Sequence, residues 1–200
     1  MEFIDIVDKN GLPTGKITER KIAHTEGIRH RTAHIWIIRE HRGRIQVLLQ
    51  KRSVNKDSFP GKYDTSSAGH IQAGDEPQES ALRELSEELG IFAAADELVY
   101  AGKFPILYKK EFYGKMFHDN EIAFVYIYTE PVNIKNLTLQ KEEVEEVRWF
   151  DLEETYHACV QNDPAFCVPL GGFKLIAEYV NQNTEKNKII LGELQKQIPL

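Results

Sequence analysis

Residues 69–91 read GHIQAGDEPQESALRELSEELGI, and everything else in the chain is interpreted around them. At about 100° per residue, Ala81, Leu82, Leu85 and Leu89 share one face, which predicts a helix over about Glu76 to Leu89. Asp75 suits its N-cap, Gln78 a capping box, Pro77 the first turn and Gly90 the C′ position. Glu84, Glu87 and Glu88 fall within roughly a 100° arc on the other side. Glu84 and Glu88 are a like-charge i,i+4 pair, unfavourable by about 0.2–0.5 kcal/mol. All three lie toward the helix C-terminus, where the macrodipole disfavours negative charge. Two accounts fit: a solvated face moderated by Arg83 and water, or carboxylate oxygens gathered for a hard divalent cation such as Mg²⁺.

The flanking residues choose between them. A glycine, an acid after five residues, then after seven more Arg-Glu-x-x-Glu-Glu-x-Gly and an apolar residue, is a pattern that resembles the Nudix box. Its places here are Gly69, Asp75, Arg83, Glu84, Glu87, Glu88, Gly90 and Ile91, with Asp75 where that box usually has glutamate. The resemblance implies an α+β fold, an α/β/α sandwich in which helices flank a mixed β-sheet. It implies Mg²⁺, with Mn²⁺ as a substitute, held by Glu84, Glu87, Glu88 and the Gly69 carbonyl, with Arg83 orienting a neighbouring glutamate. The reaction implied is water attack on phosphorus in the diphosphate linkage of a nucleoside diphosphate derivative or a similar small organic diphosphate.

From about Asp5 to Asp151 the chain also resembles the branch of that superfamily containing type I isopentenyl-diphosphate isomerase. That likeness implies metal ligands at His24, His30, His70, Asp119 and Glu121, with Glu121 alternatively a base. It implies diphosphate contacts from Lys21, Arg52 and Lys56, and a pocket tryptophan at Trp149 in EVRWFDL. Those isomerases protonate an alkene with a cysteine just before the Gly-His. Here Ala68 stands in that place, and alanine carries no proton to donate. With the Arg-Glu-x-x-Glu-Glu element whole, the expectation is a hydrolase. An isomerase-like protein and a non-catalytic nucleotide-binding module are the alternatives.

The remaining sequence is consistent with this. The chain has 200 residues, 42% hydrophobic and 28% charged, which suits one folded domain, placed at 1–183 with an N-terminal β extension, followed by a tail or short helix over 184–200. A net charge of −6 disfavours a nucleic-acid polymer as partner. Residues 1–10 are too acidic for a signal peptide and no apolar run approaches the ~18 residues of a membrane span, so a cytoplasmic protein acting on a small molecule is expected. Cys159 and Cys167 read as free thiols. Strands are expected at Phe3–Val7, from Leu12-Pro13 onward, at Ala33–Ile38, Ile45–Leu49, Tyr63–Ala68, Leu98–Ile106, Glu121–Tyr128 and Glu146–Phe150, and helices at Asp151–Gln161 and Phe173–Asn181. Trp36, Phe112, Tyr113, Phe124 and Trp149 are candidates to read the organic part of a substrate, and each is equally an ordinary core aromatic. Phe3–Val7 could pair two copies into a homodimer.

Overall fold

The structure, a computed structural model, describes residues 1–183; the expected tail or short helix at 184–200 lies outside the described residues. The strands are β1 (Phe3–Val7), β2 (Pro13–Glu19), β3 (His30–His41), β4 (Arg44–Arg52), β5 (Tyr63–Asp64), β6 (Ser67–His70), β7 (Leu98–Phe112), β8 (Lys115–Tyr128) and β9 (Val144–Asp151). The helices are α1 (Arg20–Glu26), α2 (Pro77–Leu89), α3 (Leu152–Val160) and α4 (Leu170–Asn183).

Strand β3 organises the sheet. It runs parallel to β8, setting His30 opposite Glu121, and antiparallel to β6, setting Thr32 opposite His70. Its far end pairs with β4 across a two-residue turn, Arg42-Gly43, in which both residues have positive φ, the backbone of a tight hairpin that twists with its strands. With β9 on β4 and β7 on β8 the sheet is mixed.

Side-chain alternation along β3 sends Ala33, Ile35 and Ile37 against Ala81, Leu85 and Leu89 of α2. Trp36 and Ile38 point the other way, against Leu152 and Tyr156 of α3 and Phe173, Ile176 and Ala177 of α4. Helices therefore cover both faces, the expected sandwich. Gly172 brings α4 into contact with Trp36: a Cβ there would lie 2.2 Å from Trp36 Cζ2. Gly172→Ala is expected to lower stability by about 1–3 kcal/mol, the usual range for overpacking, read as a lower urea midpoint with an unchanged m-value.

Several expectations are corrected. Asp75 is not the helix cap. The helix starts one residue later, with Glu76 at the N-cap position and no side-chain cap. Residues 73–75 are instead held by the N-terminal hairpin. Ala73 N–H donates to Phe3 O, Gly74 N–H to Asp5 Oδ2, and the buried Arg31 links Asp5 Oδ2 to the Asp75 carbonyl. Gln78 reaches the Ala95 carbonyl and closes no capping box. The expected strand Tyr63–Ala68 is two strands, because the Ser66 hydroxyl leaves the ladder to accept from Ile37 N–H and donate to Leu48 O, bridging the split between β3 and β4. Strand β1 is bonded to β2 along one side and to residues 72–73 along the other, with Ile4 fully buried.

Candidate active site

Strand β6 reads Ser67-Ala68-Gly69-His70, three small residues and then a histidine, and the acid-bearing end of α2 crosses it. The smallness is required. A Cβ on Gly69 would lie 2.1 Å from Glu84 Cδ, so only glycine lets that carboxylate rest on the strand. One turn on, Glu88 is 2% exposed, and its Oε2 accepts from Gln50 Nε2 (3.1 Å), Ser67 Oγ (2.7 Å) and Ala68 N–H (3.1 Å). Of the three glutamates only Glu87 faces solvent, so the solvated-face account does not describe this helix.

Arg83 ties the group together. Its Nη1 lies 2.7 Å from Glu84 Oε1 and 3.1 Å from Glu87 Oε2, and its Nη2 donates to the His70 carbonyl at 3.1 Å. Burial, then the charge of Glu88, pushes the Glu84 pKa up to about 7. Burial also raises Glu88, against the opposing pull of Lys56 and the hydrogen bonds on Oε2. Held this way, both carboxylates gain from a cation.

A second group converges from four elements. His24 comes from α1, His30 from β3, His70 from β6 and Glu121 from β8, each offering a ligand atom within 4.8 Å of the others. His24 Nε2 lies 3.0 Å from His70 Nε2, and His30 Nε2 lies 3.4 Å from Glu121 Oε1. The His30 Nδ1–H donates to the Ile28 carbonyl (2.8 Å), which leaves Nε2 to face the group. Thr32 Oγ1 donates to Glu121 Oε2 at 3.0 Å, and Asp119 stands 3.6 Å from His24 Nδ1. His24 Nδ1, His30 Nε2 and Asp119 Oδ1 are buried without hydrogen-bond partners.

The electrostatics are divided. Burial, then His30, lowers His24 to about 4, and burial holds His70 well below its ordinary value. Burial opposes a charge on His30, yet the Glu121 carboxylate 3.4 Å from its Nε2 keeps it raised. Burial likewise opposes a charge on Glu121, which His30 nevertheless keeps ionised. Burial and the Glu121 charge push Asp119 up to about 9.

The glutamates of the first group and His24, His70 and Glu121 of the second line one cavity of about 410 Å³, open to solvent, with His30 fully buried behind them. Arg52 and Lys56 line it as well. Arg52 is held by Asp64 (3.0 Å) and the Ser58 carbonyl (3.0 Å), and Lys56 pairs with Glu143. Lys21 and Trp149 are not among the lining residues. On α1 the one-turn spacing that turns Arg20 and His24 inward leaves Lys21 in solvent. Trp149 lies opposite Leu48 and packs into the α2-side core, with Arg39 Cζ 4.0 Å above its ring.

None of the five aromatic candidates lines the cavity either; Phe59, Tyr108 and Phe117 do. Tyr108 and Phe117 belong to the outer parts of β7 and β8, which run past Ile106 and begin before Glu121. Their turn, Tyr113-Gly114, has both residues at positive φ, a hairpin signal that the -Tyr-Gly- pair offered between two β-rich runs. Arg20 and His34 also line the cavity without having been singled out.

A mixed sheet between helices, with a glycine-led strand crossed by a helix of buried glutamates, is the layout of a Nudix domain, and the model of that family, described as NUDIX domain, matches residues 28–166. The chain belongs to the Nudix domain family. It is similar to Nudix hydrolase 3 of Arabidopsis thaliana, at 39% identity over 206 residues, which takes in 98% of this chain and 26% of that protein. It is equally similar, 39% over 143 residues, to an uncharacterized Nudix hydrolase of Clostridium acetobutylicum, covering 72% of this chain and 66% of that one. The chain thus spans about a quarter and just under two thirds of these two relatives. An uncharacterized Nudix hydrolase of Listeria monocytogenes is 34% identical over 77% of this chain and 82% of its own length.

Solved structures give the same fold. A crystallised Deinococcus radiodurans protein superposes with a TM-score of 0.60 at 19% identity over 82% of this chain and 92% of that one. The Nudix domain of Shewanella oneidensis NrtR, solved with ADP ribose, gives 0.54 at 15% identity over 77% and 88%. A Caenorhabditis elegans Ap4A hydrolase gives 0.52 at 19% identity over 76% and 98%.

Proposed function

We propose that this chain is a Mg²⁺-dependent hydrolase of small organic diphosphates, nucleoside diphosphate derivatives among them. One observation carries the reading: Glu88 is buried and Glu84 half-buried beside the small residues of β6, inside a cavity that also holds Arg52 and Lys56. Carboxylates so buried and so close repel one another, and oxygen donors of this kind suit Mg²⁺. Glu84, Glu87, Glu88 and the Gly69 carbonyl would hold it. The histidine group, three imidazoles and a carboxylate with unpartnered buried nitrogens, fits a cation too, though its donors are nearer to those preferred by transition metals.

When bound, the cation supplies charge neutralisation at the diphosphate and a more acidic water. The chain's own residues do the rest. Arg83 fixes the direction of Glu84 and Glu87, and three donors on one oxygen of Glu88 fix that carboxylate. Arg52 and Lys56 carry positive charge to the phosphate oxygens. Glu121, ionised and backed by His30 and Thr32, would serve as a further ligand or as the proton acceptor. Lys21 and Trp149, outside the cavity, have no part in this proposal, and Ala68 leaves an isomerase-like reaction without its proton donor.

The test is a screen of some dozens of diphosphate compounds with Mg²⁺ or Mn²⁺, reading released phosphate or nucleoside monophosphate. Metal-dependent release from at least one class, abolished by EDTA, is the expected result. No release from any compound with either metal rejects the hydrolase.

A further inference from the structure

Strand β3 turns His30, Thr32, His34 and Trp36 to the same side. The first two serve the histidine group, since Thr32 bonds Glu121, and Trp36 is sealed beneath Gly172 and Phe173. His34 lies between them, at the boundary of cavity and core. It lines the cavity, is 6% exposed, and makes no side-chain hydrogen bond among the described residues; its Nδ1 is fully buried without a partner. Its one close ring neighbour is Phe104, edge-on at 6.1 Å. A buried imidazole with nothing to bond is unfavourable by the desolvation of its nitrogens. An apolar residue would fill a purely structural place better. Burial also lowers its pKa, which leaves a neutral ring able to donate from one nitrogen and accept at the other.

We propose that His34 reads the organic group of the substrate by a hydrogen bond, and that this group is polar, a sugar or base carrying hydroxyl, carbonyl or amine functions rather than a plain alkyl chain. The inference rests on the diphosphate reading above and names its specificity determinant. The lining agrees with it, because the Arg52–Asp64 ion pair is near His34, and an alkyl chain there would meet ions.

The experiment is calorimetric binding of ADP, UDP-glucose and methyl diphosphate to the wild-type protein, His34→Phe and His34→Gln, with thermal unfolding of each. The wild type is expected to bind at least one of the two nucleotides roughly tenfold or more tighter than methyl diphosphate, the order of discrimination a site gains when a buried polar group would otherwise stay unpaired. His34→Phe keeps the ring and removes both nitrogens, and should collapse that ratio to within about threefold of unity; His34→Gln should restore most of it. A wild type without preference, a ratio that survives His34→Phe, or a loss that falls equally on methyl diphosphate overturns the proposal. Should the wild type show the His34-dependent ratio yet hydrolyse nothing, the hydrolase reading fails and this one stands.

Discussion

Replacing Glu88 by glutamine is expected to lower kcat by roughly 10²–10³-fold, the loss usual when one preorganised electrostatic group is removed, while the protein stays folded. The two halves of that statement come from the same geometry. Glu88 is nearly the same shape as glutamine, and its Oε2 accepts from Gln50, Ser67 and Ala68. An amide oxygen can accept from the same three donors, so the packing survives. The amide nitrogen then occupies the Oε1 position, where a donor replaces an acceptor and a negative charge is gone. Since burial already raises the Glu88 pKa, the substitution removes a charge the fold holds at a disadvantage, and the melting temperature of the metal-free variant should not fall. The measurement is kcat at saturating Mg²⁺ on the best substrate of the screen, with a melting curve beside it. Wild-type turnover would mean that Glu88 holds nothing the reaction needs.

The second large effect lies outside the glutamates. Gly69→Ala adds a single methyl group at a residue whose φ is not in the left-handed region, so the backbone itself accepts alanine. The cost arises across the gap, because the new Cβ would stand 2.1 Å from Glu84 Cδ. Glu84 is the mobile partner and has open cavity beside it, so it is expected to swing away, breaking the contact with Arg83 at 2.7 Å. A misplacement of about 1 Å at a reacting group lowers rate by roughly 10²-fold, and kcat should fall by that order with a melting temperature close to wild type. Combined with Glu84→Gln, the effects should be far from additive, since both act on the same carboxylate. Additive losses would show that Gly69 acts on something other than Glu84.

Where sequence reading succeeded and where it stopped follows the range of the interactions involved. The extent of α2 and its apolar face, and Gly90 in the left-handed conformation at its end, are set within a few residues by the 3.6-residue repeat and by backbone sterics. Those were legible, as was the need for glycine at position 69, through its place in the Gly69–Ile91 pattern. The hairpin arm beyond Ile106 is marked in the sequence only by the Tyr113-Gly114 pair at its turn. Helix α1, with seven residues, has too short a periodic stretch to announce itself.

The amino-acid order by itself determined which residues could bear charge on the last turns of α2 and how far apart they stand, because helical spacing is a local property. Only the tertiary structure decided that Glu88 is buried and Glu84 half-buried while Glu87 is exposed, since that depends on β6 lying beneath them. The parallel register of β3 with β8 and the antiparallel register with β6 likewise decided that His30, His70 and Glu121 meet. Strand pairing is a long-range choice: shifting any one of these strands by a single residue would turn its histidine or glutamate to the opposite face.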